Sequence, residues 1–219
     1  MLEINPFHKY LAEIALLSYT GNFESLKVDA SKVISYIGDA LHKYIIEFDE
    51  YYVVAIRGSA NGYDWRNNFT NLGWTDDFAH TNVHPGFMAE LDADINPRLS
   101  FDKPVFLCGH SMGGACCLLY SFQLATLNQN ITEVVTFGSP MPGALSFKEQ
   151  IEAKLPGKIT RYCNGDDVTP SLPPFKYYSP GKDISIGVKH SSWNPVKLFH
   201  LTSDHRMTEY IKSLEASDK

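Results

Sequence analysis

Long apolar runs are missing from this chain: no stretch approaches the roughly 18 residues that a membrane-spanning helix requires, which excludes helical membrane insertion on composition. Positive charge is scarce as well. The 19 Lys and Arg against 25 Asp and Glu leave a formal net charge of −6, and the basic residues form no cluster. Nucleic acid is therefore excluded as a partner, since its phosphates are held by grouped lysine and arginine, and anionic membrane surfaces are unattractive for the same reason. Cysteine is sparse too: Cys108 in an apolar stretch, the adjacent Cys116 and Cys117, and Cys163 near a strand end. No C-x-x-C and no Cys/His zinc spacing occurs, so no metal, cofactor or disulfide scaffold is expected, and the four read as small apolar residues with reduced thiols. Repeats and low-complexity segments are lacking. The opening "MLEINPFHKYLAEIALLSYT" has no uninterrupted apolar core of an export signal, because Glu3, His8, Lys9 and Glu13 break it. It reads as an amphipathic helix, which favours a cytoplasmic location over non-classical secretion or a trimmed leader.

What is present suits one α/β domain over residues 1–219, with 44% hydrophobic and 20% charged content. The segments "SKVISYIG", "HKYIIEFD" and "YYVVAIRGS" are rich in β-branched and aromatic residues and predict three strands, the last two an antiparallel pair. A polar, aromatic-dotted loop is expected from Ala60 to His84. Helices are expected at "GFMAELDADI", from Ser111 to Asn128, at "ALSFKEQIEAKL" and at "HRMTEYIKSL". Strands fit "KPVFLCG", "TEVVTFGSP", "GKITRYCNGDD" and "DISIGV". Strands alternating with helices imply a mostly parallel central sheet flanked by helices, with functional residues at the carboxyl ends of its strands.

Within that pattern, Gly109-His110-Ser111-Met112-Gly113 follows an apolar strand and opens an apolar helix. This is the G-x-S-x-G arrangement of a nucleophile elbow, in which the serine sits on a sharp strand-to-helix turn. A serine hydroxyl becomes a nucleophile only when a base takes its proton, and the base needs a carboxylate to orient it. In elbow folds the acid and then the histidine follow the serine in the chain. Asp166 and Asp167 stand where the strand "KITRYC" runs out, and either can serve; Asn-Gly-Asp-Asp is also an ordinary turn sequence. For the base there are three candidates. His200 lies in the apolar "VKLFHL", His190 in a polar loop, and His205 behind Ser203 and Asp204, which read as N-cap residues of the last helix and would fix its backbone.

Taken together, "VVAIRGS", "DWRNNF", "VHPGF", "CGHSMGG", "TFGSPMPG", "GDDVTPSLPP" and "DHRMTEY" resemble, in order, the motifs of the class 3 (fungal-type) lipases of the α/β-hydrolase fold. The resemblance spans Val53 to Tyr210. It implies Ser111 as nucleophile, Asp167 as acid and His205 as base, with an oxyanion hole from the backbone N–H groups of Ser59 and Met112. It also implies a short lid at "ANGYDWRNNF", where Tyr63, Trp65 and Phe69 are the large apolar groups. Arg66, Asn67 and Asn68 interrupt that face, whereas an interfacial helix wants a continuous one. The implied activity is a serine carboxylester hydrolase, a lipase or esterase on acylglycerols or other esters, preferring soluble or short-chain ones. Its partner is a small-molecule ester or lipid, with transient contact at a lipid interface and no stable insertion. A phospholipase or other specialised ester hydrolase on the same residues is the alternative, and a non-catalytic binding module with this fold is the remaining one.

Overall fold

The computed structural model describes residues 4–24, 30–38, 41–59, 76–78, 80–94, 100–190 and 203–217. Helix α1 (Pro6–Leu17) starts where the sequence supplies both a cap and a stiff first turn. The Asn5 side chain accepts from the Phe7 N–H at 2.9 Å, and Pro6 occupies a position whose N–H would have no partner. Strands β1 (Lys32–Ile37), β2 (His42–Glu47) and β3 (Tyr52–Ile56) then pair antiparallel.

The stretch expected to be loop up to His84 ends instead in a small antiparallel hairpin, β4 (Asp76–Phe78) and β5 (Thr81–Val83). Thr81 and Val83 are buried with Asn82 exposed between them, but three residues are too few for a period of two to stand out in a sequence. Next come α2 (Pro85–Asp94), β6 (Val105–His110), α3 (Met112–Thr126), β7 (Ile131–Phe137), α4 (Leu145–Lys154), β8 (Ile159–Asn164), β9 (Lys182–Ile186) and α5 (Met207–Ala216).

Seven strands form one sheet in the order β1-β2-β3-β6-β7-β8-β9. From β3 onward every neighbouring pair is parallel, as the alternation of strands and helices predicted. Both faces are covered, which explains the near-continuous apolar runs of β3, β6 and β7. On one face Val54, Ile56, Leu107 and Val134 pack under α2, α3 and α4; on the other Val53, Ala55, Cys108 and Val135 pack under α1 and α5. Helix α1 is further pinned by His8, whose ring nitrogens meet the Tyr162 hydroxyl at 2.8 Å and the Glu133 carboxylate at 2.9 Å.

The entry to α5 differs from expectation. Its N-cap position is Arg206, without a side-chain cap, and Asp204 turns elsewhere: its carboxylate accepts from the Asp166 N–H at 2.9 Å while its carbonyl accepts from Asn164 Nδ2 at 3.0 Å. The carboxylate expected to cap the helix thus fastens the last loop to the turn after β8. Among the described residues, no helix is long and apolar enough to cross a membrane, and no three His, Cys, Asp or Glu side chains gather as a metal site.

Candidate active site

Ser111 joins the end of β6 to the start of α3 with φ 58° and ψ −132°, a backbone conformation that a non-glycine residue rarely adopts. Such strain persists only where the surroundings enforce it. Here the Ser111 N–H donates to the Phe137 carbonyl at 2.9 Å, and the chain on either side is pressed too close for side chains. A Cβ on Gly109 would lie 2.5 Å from the Gly113 carbonyl oxygen, and one on Gly113 would strike the Ile56 and Arg57 carbonyls. The glycines of the motif are therefore required by packing of α3 against β3 and β6. Ser111 stands at the N-terminus of a 15-residue helix, whose first N–H groups have no intrahelical partner and favour negative charge.

Two loops from distant parts of the chain meet this serine. His205, just ahead of α5, places Nε2 2.9 Å from Ser111 Oγ and Nδ1 2.8 Å from Asp167 Oδ2. The Asp167 side chain is fully buried. Its Oδ2 also accepts from the Tyr210 hydroxyl at 2.6 Å and its Oδ1 from the Thr169 N–H at 2.9 Å. Burial alone would raise the carboxyl, but hydrogen bonds from His205, Tyr210 and Thr169, with the charge of His205, outweigh it and hold Asp167 below the usual carboxylate range. An ionised Asp167 only accepts, so His205 Nδ1 must donate, and in the neutral ring Nε2 is then the acceptor that faces the Ser111 hydroxyl.

Tyr210 is a functional neighbour whose position, but not role, the sequence marked. Burial first, and then the Asp167 charge, push its hydroxyl well above the ordinary range, so it stays a donor. A carboxylate held low by its native partners contributes stability above its unfolded pKa, and loses it as pH falls through the folded one. Tyr210→Phe removes a donor to a charged group and should cost about 2 kcal/mol near neutrality. The deficit should shrink in acid, once Asp167 is protonated in both proteins. Urea unfolding at two pH values checks this; a pH-independent deficit would mean that Tyr210 matters only as packing.

Ser59 follows β3, and its hydroxyl meets Met112 Sδ at 3.3 Å, so the two residues expected to form an oxyanion hole flank Ser111 from different elements. Asp166 does not share the site. It binds His190, whose Nδ1 lies 2.8 Å from Asp166 Oδ2, forming a second Asp–His pair. His200 and the expected lid residues Tyr63, Trp65 and Phe69 lie outside the described residues.

A family model described as Lipase (class 3) matches residues 53–177, from β3 through the serine and Asp167. The chain belongs to the class 3 lipase family. His205 and Tyr210 lie beyond the matched span, and their placement rests on the geometry above. This class 3 chain is 34% identical over 114 residues to the secreted mono- and diacylglycerol lipase 3 of Gibberella zeae, covering 50% of this chain and 31% of that protein. It is 32% identical over 130 residues to the rice phospholipase A1 EG1, covering 54% of this chain and 30% of that one. The chain therefore spans about a third of the length of these curated relatives. Among solved structures, the nonglycosylated LIP2 lipase of Yarrowia lipolytica superposes with a TM-score of 0.71 at 19% identity, covering 85% of this chain and 79% of that one. The fold is that of the α/β-hydrolases.

Proposed function

We propose that this chain, acting as one domain over residues 1–219, is a serine carboxylester hydrolase working through an acyl-enzyme on Ser111. The observation that carries the proposal is the continuous chain Ser111 Oγ, His205 Nε2, His205 Nδ1, Asp167 Oδ2, with contacts of 2.9 and 2.8 Å. As Ser111 Oγ attacks the ester carbonyl carbon, its proton passes to His205 Nε2, and Asp167 offsets the positive charge that forms. The carbonyl electrons move to oxygen, where the N–H groups of Ser59 and Met112 stabilise the anion, each donor contributing on the order of 3–4 kcal/mol. Collapse breaks the C–O bond to the alcohol, which leaves with the proton from His205. Water, deprotonated by His205, then attacks the acyl carbon, the bond to Ser111 Oγ breaks to free the acid, and His205 returns the proton to Oγ. No metal or cofactor enters this sequence of steps.

A lid whose large apolar groups are only Tyr63, Trp65 and Phe69 would expose little apolar area on opening, and opening cost scales with that area. Soluble short-chain esters are then preferred. Initial rates on nitrophenyl esters of increasing acyl length, with Ser111→Ala as control, test class and preference together. Highest kcat/KM on short acyl groups is expected; a steady rise toward long chains would contradict a weak lid face. A phospholipase reading draws on the relative named phospholipase A1, and hydrolysis of phosphatidylcholine against a diacylglycerol with the same acyl chains separates the two. A cytoplasmic compartment gains no support from the relatives, one of which is named as secreted.

A further inference from the structure

Behind the Ser111 elbow lies a second polar chain that the hydrolytic steps do not use. His110 is buried, with its ring 4.8 Å from that of His205, centroid to centroid. Its Nε2 lies 2.6 Å from the carbonyl oxygen of His205, and its Nδ1 lies 2.7 Å from the hydroxyl of Tyr19. A carbonyl can only accept, so Nε2 carries the proton, and Nδ1 is the acceptor for the Tyr19 O–H. Burial first, and then His205 beside it, push the His110 imidazole down to about 3, so the ring stays neutral with this one tautomer. Burial pushes the Tyr19 hydroxyl up, and that hydroxyl lies close against Gly58. At Gly58 a Cβ would strike that hydroxyl and lie 2.7 Å from the His110 carbonyl oxygen.

The hydroxyl of Tyr19 is thus a junction. It packs against Gly58 in the loop after β3, one residue ahead of Ser59, and bonds the ring of His110, which in turn holds the backbone of His205. We infer that Tyr19 and His110 are positioning residues that hold the base loop and the oxyanion loop in mutual register around Ser111, a role that presupposes the ester hydrolysis proposed above. Neither side chain touches the reacting atoms. Their contribution is orientation: His205 Nε2 must stay aimed at Ser111 Oγ and the Ser59 N–H at the carbonyl oxygen, and a misplacement of about 1 Å can cost about 100-fold in rate. A ring kept neutral beside His205 also avoids a second positive charge next to the imidazolium that forms in turnover.

The test counts sites and turnover separately. A fluorophosphonate gives the fraction of molecules with a competent Ser111, and nitrophenyl butyrate hydrolysis is then expressed per labelled site. Tyr19→Phe keeps the ring and removes the junction, and should lower kcat per site about tenfold with KM within about twofold, the pattern of a loss felt in the transition state. His110→Leu removes both bonds and should fall about a hundredfold, while His110→Gln, which can still offer an N–H to the His205 carbonyl, should recover about tenfold of that loss. Wild-type turnover per labelled site in Tyr19→Phe, or equal losses in His110→Leu and His110→Gln, overturns the inference while leaving Ser111 chemistry intact. Full hydrolysis by Ser111→Ala in the same assay would remove the proposed function and this role with it.

Discussion

Ser111→Ala should abolish ester hydrolysis, lowering kcat by about 10⁶, and leave the protein folded. The two halves of that expectation have separate physical grounds. Activity goes because the hydroxyl that His205 Nε2 meets at 2.9 Å is the one removed, so water must attack the substrate directly and no acyl-enzyme forms on residue 111. The fold stays because the elbow is enforced by its surroundings: the 111 N–H still donates to the Phe137 carbonyl, and the close approach of Gly109 and Gly113 to neighbouring carbonyls is unchanged. The Ser111 hydroxyl itself caps nothing, since α3 has no side-chain bond at its N-cap. The strained φ of 58° is no better tolerated by alanine than by serine, so stability should move by less than about 1 kcal/mol. Fluorophosphonate labelling and nitrophenyl butyrate turnover, with thermal unfolding in parallel, check both halves. Turnover within tenfold of wild type, or a covalent label on another residue, would remove Ser111 from the mechanism.

The elbow was legible because all its parts are local. An apolar strand, a glycine-flanked serine and an apolar helix occur within some 20 consecutive residues, and each signals itself by composition. The parallel sheet was legible for a related reason, since strands buried on both faces read as unbroken apolar runs. What stayed hidden depends on contacts between distant segments. Residue types alone left Asp166 and Asp167 equivalent, and it took the family resemblance to single out Asp167; the physical reason lies in the turn after β8, where one carboxylate faces His205 and the other His190. Asp204 reads as a helix cap, yet a backbone N–H 38 residues away claims it. The bond of Tyr19 to His110 spans 91 residues, and nothing in "LLSYTGN" distinguishes that tyrosine from the other 11 in the chain. His110 was in view as the x of G-x-S-x-G, a position the motif leaves open. Hairpin β4–β5 was missed because three-residue strands carry too short a pattern.

The acid and base should prove nearly as costly to remove as the serine. His205→Ala and Asp167→Asn are each expected to lower kcat by at least about 10³ with little change in KM, the signature of interactions made only in the transition state. For His205 the reason is direct, since no other described group reaches Ser111 Oγ to take its proton. For Asp167 it follows from counting donors. Three N–H or O–H groups converge on this carboxylate: Thr169 N–H on Oδ1, His205 and Tyr210 on Oδ2. An asparagine has one acceptor and one donor in the same plane. With its oxygen toward His205, its NH₂ faces the Thr169 N–H; with its NH₂ toward His205, it faces two donors and turns the imidazole to the tautomer that carries its proton on Nε2, where Ser111 needs a base. Either way the negative charge that offsets the imidazolium is gone. Asp166→Asn and His190→Ala are the matched controls, because the Asp166 carboxylate pairs with His190 while that of Asp167 pairs with His205, and each should retain activity within about tenfold of wild type. Should Asp166→Asn or His190→Ala be the inactivating change while Asp167→Asn turns over normally, the base would have to approach Ser111 from the β9 side, and the loop ahead of α5 would be the wrong source for it.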